Sequence, residues 1–247
     1  MQTMHDDARA RAAGAEVIAR LPIGLDSAGI VLARSEDPVL RRLIVVLRTT
    51  EMTSFLAAGG TGECAVIYCY ERALHAAAAL VRSAAGDGVI DHIDERMFDV
   101  LVDLATGTVL EGEPVIPVDM QTLRAYRHLY LQMLHENVME DTLGQLEAGD
   151  LETAVVSSRR CIETLVDLAL LQHGILCPSM SERLDGVERI GALRHLLTAA
   201  IDQFLVRPVL LDRAPETLRR HVEACLAFCH TNLLPAQLGI VIERGRL

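Results

Sequence analysis

Leu43-Ile44-Val45-Val46-Leu47, bracketed by Arg41, Arg42 and Arg48, is the stretch on which the reading of the fold turns. It is apolar at every position and too short for a helix. A run of that length suits a strand covered on both faces. Such a strand needs partners, and the flanking sequence offers them. Ala28-Gly-Ile-Val-Leu-Ala33 upstream has the same short apolar character, with Arg34 to Pro38 turning the chain between the two. Downstream, Cys64 to Tyr70 reads as a further strand, and Phe98-Asp-Val-Leu-Val-Asp-Leu104 as another. Thr106-Gly107 follows as a turn, Val109-Leu110 resumes briefly, and Pro114 and Pro117 close the region.

Helices punctuate these strands. Residues 4–20 carry Ala8, Ala12, Ala15 and Ile18 on one stripe, and Pro22 and Gly24 end the run. Glu71 to Ala84 is an alanine-rich helix, broken by Gly86 and Gly88. Between strands, Ala57-Ala-Gly-Gly-Thr-Gly62 reads as a flexible loop; no lysine accompanies it to make a phosphate loop.

From Val118 onward the period changes to that of helices. Leu123, Tyr126, Tyr130, Met133 and Leu134 form one stripe; Gly149 ends that helix and Asp150 caps the next. The second helix has a wide apolar face, from Ala154 through Cys161 and Leu165 to Ala169, and stops at Gly174. Ser179-Met-Ser-Glu182 is a capping box that starts a third, with a break invited at Gly186 or Gly191. Pro215 fits the first turn of a fourth. Short connections between antiparallel helices predict a four-helix bundle. The expected class is therefore α+β: a small mixed-sheet domain over 1–118, then a helical bundle over 119–247.

Composition narrows the chemistry. The chain has 247 residues and a net charge of −11, which disfavours bulk nucleic-acid binding. It contains no lysine at all, so Schiff-base and P-loop chemistry are excluded. No apolar run approaches the ~20 residues that span a bilayer. Met1 to Arg11 lacks a secretory plan. A cytoplasmic protein is expected. The six cysteines form no Cys-x-x-Cys pair and read as buried small hydrophobes; Cys225 and Cys229 share a helix face, with His230 beside them. Glu71 with His75, and His135 with Glu136, are the other places where a helical metal site is conceivable, without the Glu-x-x-His spacing of di-iron bundles.

The order of parts resembles the nucleotidyltransferase-like superfamily that includes kanamycin nucleotidyltransferase, in which a small α/β domain precedes a helical bundle, often of the HEPN type. The resemblance covers most of the chain. Its motif is a Gly-Ser pair after the first strand, an Asp-x-Asp at the next and a third carboxylate on a later strand. Together these hold magnesium against a triphosphate. Here Ser35 matches the serine, Arg34 replaces the glycine, and Leu40 and Arg42 stand where the two aspartates belong. Asp37 lies a few residues early, and Asp99 or Asp103 answers to the third carboxylate. The resemblance thus implies a degenerate metal site, with Asp37, Asp99 and Asp103 as catalytic candidates and Asp99 and Asp103 as the magnesium ligands.

On this reading the crevice between the two parts takes a nucleotide or small metabolite. Ser35 lies on its front wall, and Arg124, Arg127, Arg159 and Arg160 supply guanidinium groups at its back. Two classes stay open: a transferase-like enzyme, and a non-catalytic binding or scaffold protein that kept the fold. A third reading, a HEPN-type ribonuclease, rests on Arg189 and His195, which have the Arg-x(4–6)-His spacing. The wide apolar faces of the helices predict a homodimer.

Overall fold

The computed structural model describes residues 26–33, 41–48, 56–58, 64–87, 90, 93–113, 118–176, 180–191, 194–206 and 213–238, with the helical positions Ala12, Ala15 and Ile18. The chain separates into two compact units, Met1–Tyr126 and Arg127–Leu247. The class is α+β, a mixed sheet with helices followed by helices alone.

The first unit is built on a five-stranded sheet. Its strands are β1 (Ser27–Leu32), β2 (Arg41–Leu47), β3 (Leu56–Ala58), β4 (Cys64–Tyr70) and β5 (Thr108–Gly112), in the order β3-β4-β2-β1-β5. β2 runs antiparallel to β1 and parallel to β4; β3 and β5 close the two sides antiparallel to their neighbours. Leu43 to Leu47 is buried throughout, as a central strand covered on both faces requires. Alternation sorts the residues. Leu43, Val45 and Leu47 join Ile30, Leu32, Val66 and Tyr70 in one core, against which Ile18 packs. Arg42, Ile44 and Val46 fall on the opposite face.

That opposite face corrects one expectation. Phe98–Leu104 is not a strand but the middle of a helix, α2 (Glu95–Thr106), which packs on β1 and β2. The neighbours of β2 are β1 and β4, so no adjacent strand presents Asp99 and Asp103. The helix has a clear local cause. Asp94 is its N-cap, accepting from the Arg96 and Met97 amides, and Glu95 favours the positive N-terminal end. Phe98, Leu101 and Leu104 then recur at helical spacing and are buried. The run alternates only partly between polar and apolar residues, and the cap and the longer period prevail over that strand signal.

Helix α1 (Glu71–Asp87) follows β4 directly and passes through Gly86 before ending. The α2-to-β5 junction depends on Gly107. A Cβ there would sit 2.5 Å from the Asp103 carbonyl and 2.6 Å from that of Leu32, so only glycine fits. The unit ends on the first turns of α3 (Met120–Ala148), where Tyr126 stacks on Phe98 with centroids 5.5 Å apart.

The second unit comprises the rest of α3, α4 (Leu151–Gln172), α5 (Met180–Arg189), α6 (Arg194–Ala200) and α7 (Pro215–Leu238). The expected third helix is broken at Ile190–Gly191, and α6 widens into a π-helical turn over Ile201–Val206. Helix α4 is the hub, buried at almost every position from Cys161 to Leu171. Asp150 caps its start, accepting from the Thr153 amide, and Gly149 before it has φ +78. Helix α7 packs along it, and the Cys225 thiol donates to the Ser158 carbonyl at 3.1 Å. Helix α3 meets it through polar contacts: His135 Nδ1 lies 2.8 Å from Thr164 Oγ1, and Thr142 Oγ1 lies 3.6 Å from Cys161 Sγ.

Candidate functional site

In the first unit one of the sequence candidates, Asp103, takes part in an ion pair between the sheet and its covering helix. Arg42, on the α2-facing side of β2, donates through Nη2 to Asp103 Oδ1 at 2.9 Å. The Asp103 side chain is 5% exposed and the Arg42 side chain 37% exposed, so a buried carboxylate holds an arginine that reaches solvent. Asp99 is half-buried one turn earlier on α2. Gly107 brings the end of α2 against β1, and so sets the height of Asp103 over the sheet. The bond to Asp103 engages one of five N–H donors on Arg42.

This arrangement does not suit a magnesium ion. The ion needs several oxygen ligands, and Asp103 is already neutralised by a guanidinium. Among the described residues, no group of three or more His, Cys, Asp or Glu is placed to hold a metal. Ser35 and Asp37 lie outside the described residues. The same applies to the Arg41 side chain.

The arginines expected opposite these carboxylates have different settings. Arg124 is exposed on α3. Arg127 is buried, its guanidinium 5.5 Å from the Tyr130 ring centroid, and its charge acts on Asp167. Arg159 donates to the Leu205 carbonyl at 2.6 Å, capping the π-helical turn, and Arg160 pairs with Glu163 at 3.3 Å. Asp167 itself takes a two-bond fork from Arg183, at 2.7 and 2.9 Å. Burial pushes its carboxyl up, while Arg183 and Arg127 oppose the shift.

The remaining candidates separate. Arg189 ends α5 and His195 lies on α6, so a helix break stands between them. His135 is buried and Glu136 exposed, so they do not share a surface. Cys225 and Cys229 face inward with Cys161, and all three are fully buried; His230 is exposed on the other side. Burial pushes Cys161 up to about 11. Cys229 is also raised, first by its hydrogen bond with Cys225 and then by burial. His135 is buried and its ring is held through Nδ1. His135 Nδ1 lies 2.8 Å from Thr164 Oγ1, which also lies 3.0 Å from the Arg160 and Cys161 carbonyls, and His135 Nε2 is buried with no hydrogen-bond partner.

Sequence reasoning marked Asp103 but not its partner. The signal was present: Arg42 has the parity of Ile44 and Val46, and Asp103 lies one helical turn after Asp99 and Val100. It needed the helix to be recognised first.

No protein-family model matches the chain, and no curated protein matches it. Among solved structures the chain is similar to a nucleotidyltransferase-like protein from Exiguobacterium sibiricum. The identity is 14% and the TM-score 0.47, and the match covers 93% of this chain and 76% of that one.

Proposed function

We propose that this is a nucleotidyltransferase-like protein that binds a nucleotide or small anionic metabolite without a metal-dependent transfer step. The order of parts, a mixed sheet unit and then helices, supports the superfamily reading. The observation that carries the rest is the Arg42–Asp103 pair. The resemblance implies a metal-binding aspartate at position 42, and an arginine stands there instead. Asp103 then orients a guanidinium, and its remaining N–H donors offer a phosphate the charge that magnesium supplies elsewhere.

A thermal-shift titration with ATP and with CTP, each in magnesium and in EDTA, tests this. The expected result is a rise in Tm of similar size in both buffers, lost in Arg42→Gln when each protein is compared with its own ligand-free state. A rise seen only with magnesium, or none with either nucleotide, overturns the proposal.

A further inference from the structure

One face of α3 meets α4 through a ladder of polar side chains. His128, His135 and Thr142 recur at seven-residue spacing, which puts them two turns apart on one side of the helix. Their partners run the opposite way along α4. His128 Nδ1 lies 3.3 Å from Gln172 Nε2, His135 Nδ1 lies 2.8 Å from Thr164 Oγ1, and Thr142 Oγ1 lies 3.6 Å from Cys161 Sγ. The two helices are thus antiparallel, and histidines form two of these three rungs. Among the described residues α7 approaches α4 far more closely than α3 does, so the α3 side of α4 is the looser one. The connection from α3 to α4 is a tight turn at Gly149 and Asp150, whose amides bond back to the Leu146 and Gln145 carbonyls.

The seam gives a positive charge no home. His135 is 1% exposed, and its Nε2 is buried with no hydrogen-bond partner. His128 is half-buried. The charged groups of the helices around them are engaged or point away. Asp167 of α4, one turn from Thr164, takes a two-bond fork from Arg183 of α5 and also feels Arg127 of α3. Glu163 of α4 pairs with Arg160. Glu136, Glu140, Asp141 and Glu147 of α3 are exposed. From α7 the side chains that approach Cys161 are thiols, Cys225 and Cys229. Burial lowers both histidines from the ordinary value, and no carboxylate offsets the shift.

We propose that His128 and His135 form a pH-sensitive latch: acidification places a proton on each ring, and residues 128–148 lift from α4 while α4 and α7 stay packed. The cause is the cost of holding an imidazolium in a seam without a counter-charge. Once protonated, both nitrogens of His135 are donors, and the Nε2 proton meets no acceptor. Lifting α3 gives both charges to water. The closed seam is fully stable above about pH 6.5, the ordinary value that the open seam restores, and weakens as the pH falls toward the lowered closed-state values. His221 lies outside the latch, on α7 against Phe204. The proposal does not rest on the Arg42–Asp103 reading, since all of its residues belong to the helical unit.

Amide hydrogen exchange of the full chain, followed by mass spectrometry near pH 7.5 and near pH 5.5 and corrected for the intrinsic rate, tests the latch. Protection over residues 128–148 should fall at least about tenfold between the two conditions, and protection in α7 less than about threefold. His128→Gln and His135→Gln should each remove part of the fall, and the double variant all of it. His221→Gln should leave it unchanged. The comparison of α3 with α7 in the wild type stands without any variant, and His128→Gln changes a half-buried site while leaving the buried ring in place. The proposal is overturned if residues 128–148 keep their protection in acid, or if α7 loses protection in parallel with them. It is also overturned if the fall persists at full size in His128→Gln.

Discussion

Arg42 Nη2 lies 2.9 Å from Asp103 Oδ1, and the pair joins the central strand to the helix that covers it. A carboxylate 5% exposed cannot be left without a partner at small cost. Arg42→Met is expected to destabilise the protein by about 2 kcal/mol, less than for a wholly buried pair because the guanidinium reaches water. Asp103→Asn in the Arg42→Met background should recover part of that loss. Chemical denaturation of the two single variants and the double variant measures the coupling; additive effects would mean the pair contributes nothing.

The second ion pair is drier. Arg183 and Asp167 are 16% and 4% exposed at their side chains, and their fork anchors α5 to α4. Removing the cation alone, as in Arg183→Met, is expected to cost about 3 kcal/mol or more. Replacing both partners with apolar residues, as in Arg183→Met with Asp167→Leu, should cost markedly less. Urea denaturation of the two proteins gives the comparison. Equal losses would show that packing at α5, not the buried charge, sets the penalty.

Three histidines share one pH response. Burial lowers His128, His135 and His221 from the ordinary value of 6.5, with Arg159 adding to the effect at His221. The fold keeps them neutral, while the unfolded chain takes up protons below about 6.5. Stability is therefore fully present above that pH and falls as the solution is acidified through it toward the lowered folded values. Unfolding free energies at pH 8 and pH 5.5 should differ in that sense, and His135→Gln should flatten the difference. A stability that rises on acidification would contradict the assignment.

The four buried thiols should be inert in the native protein. Cys69 is pushed up to about 12 and Cys161 to about 11, both by burial, and Cys225 and Cys229 are buried beside Cys161. Iodoacetamide at pH 8 should leave all four unlabelled until denaturant is added, as read by peptide mass mapping. Native labelling at Cys225 or Cys229 on the time scale of free thiols would contradict their burial.

Much of this architecture is legible in residues alone. Leu43–Leu47 announces a central strand because nothing polar interrupts it, and Gly149, Asp150, Gly174 and Pro215 mark helix ends by their backbone chemistry. Phe98–Leu104 misleads because it is a short apolar run with valines and only partial alternation, and the decisive N-cap, Asp94, lies before the stretch. β3 is three residues long, too short to show a period. The site was half legible. Asp103 is visible as an acid in an apolar run, but its partner comes from 61 residues away, and only the register of β2 against α2 joins them.

Whether Asp103 serves Arg42 or a metal is decided most directly by manganese, a paramagnetic stand-in for magnesium. The free-ion electron paramagnetic resonance signal is followed as Mn²⁺ is added to wild type and to Asp103→Asn, each with and without ATP. The pair predicts that the two proteins take up the same amount of ion at every concentration. Stoichiometric uptake by wild type that vanishes in Asp103→Asn would contradict it.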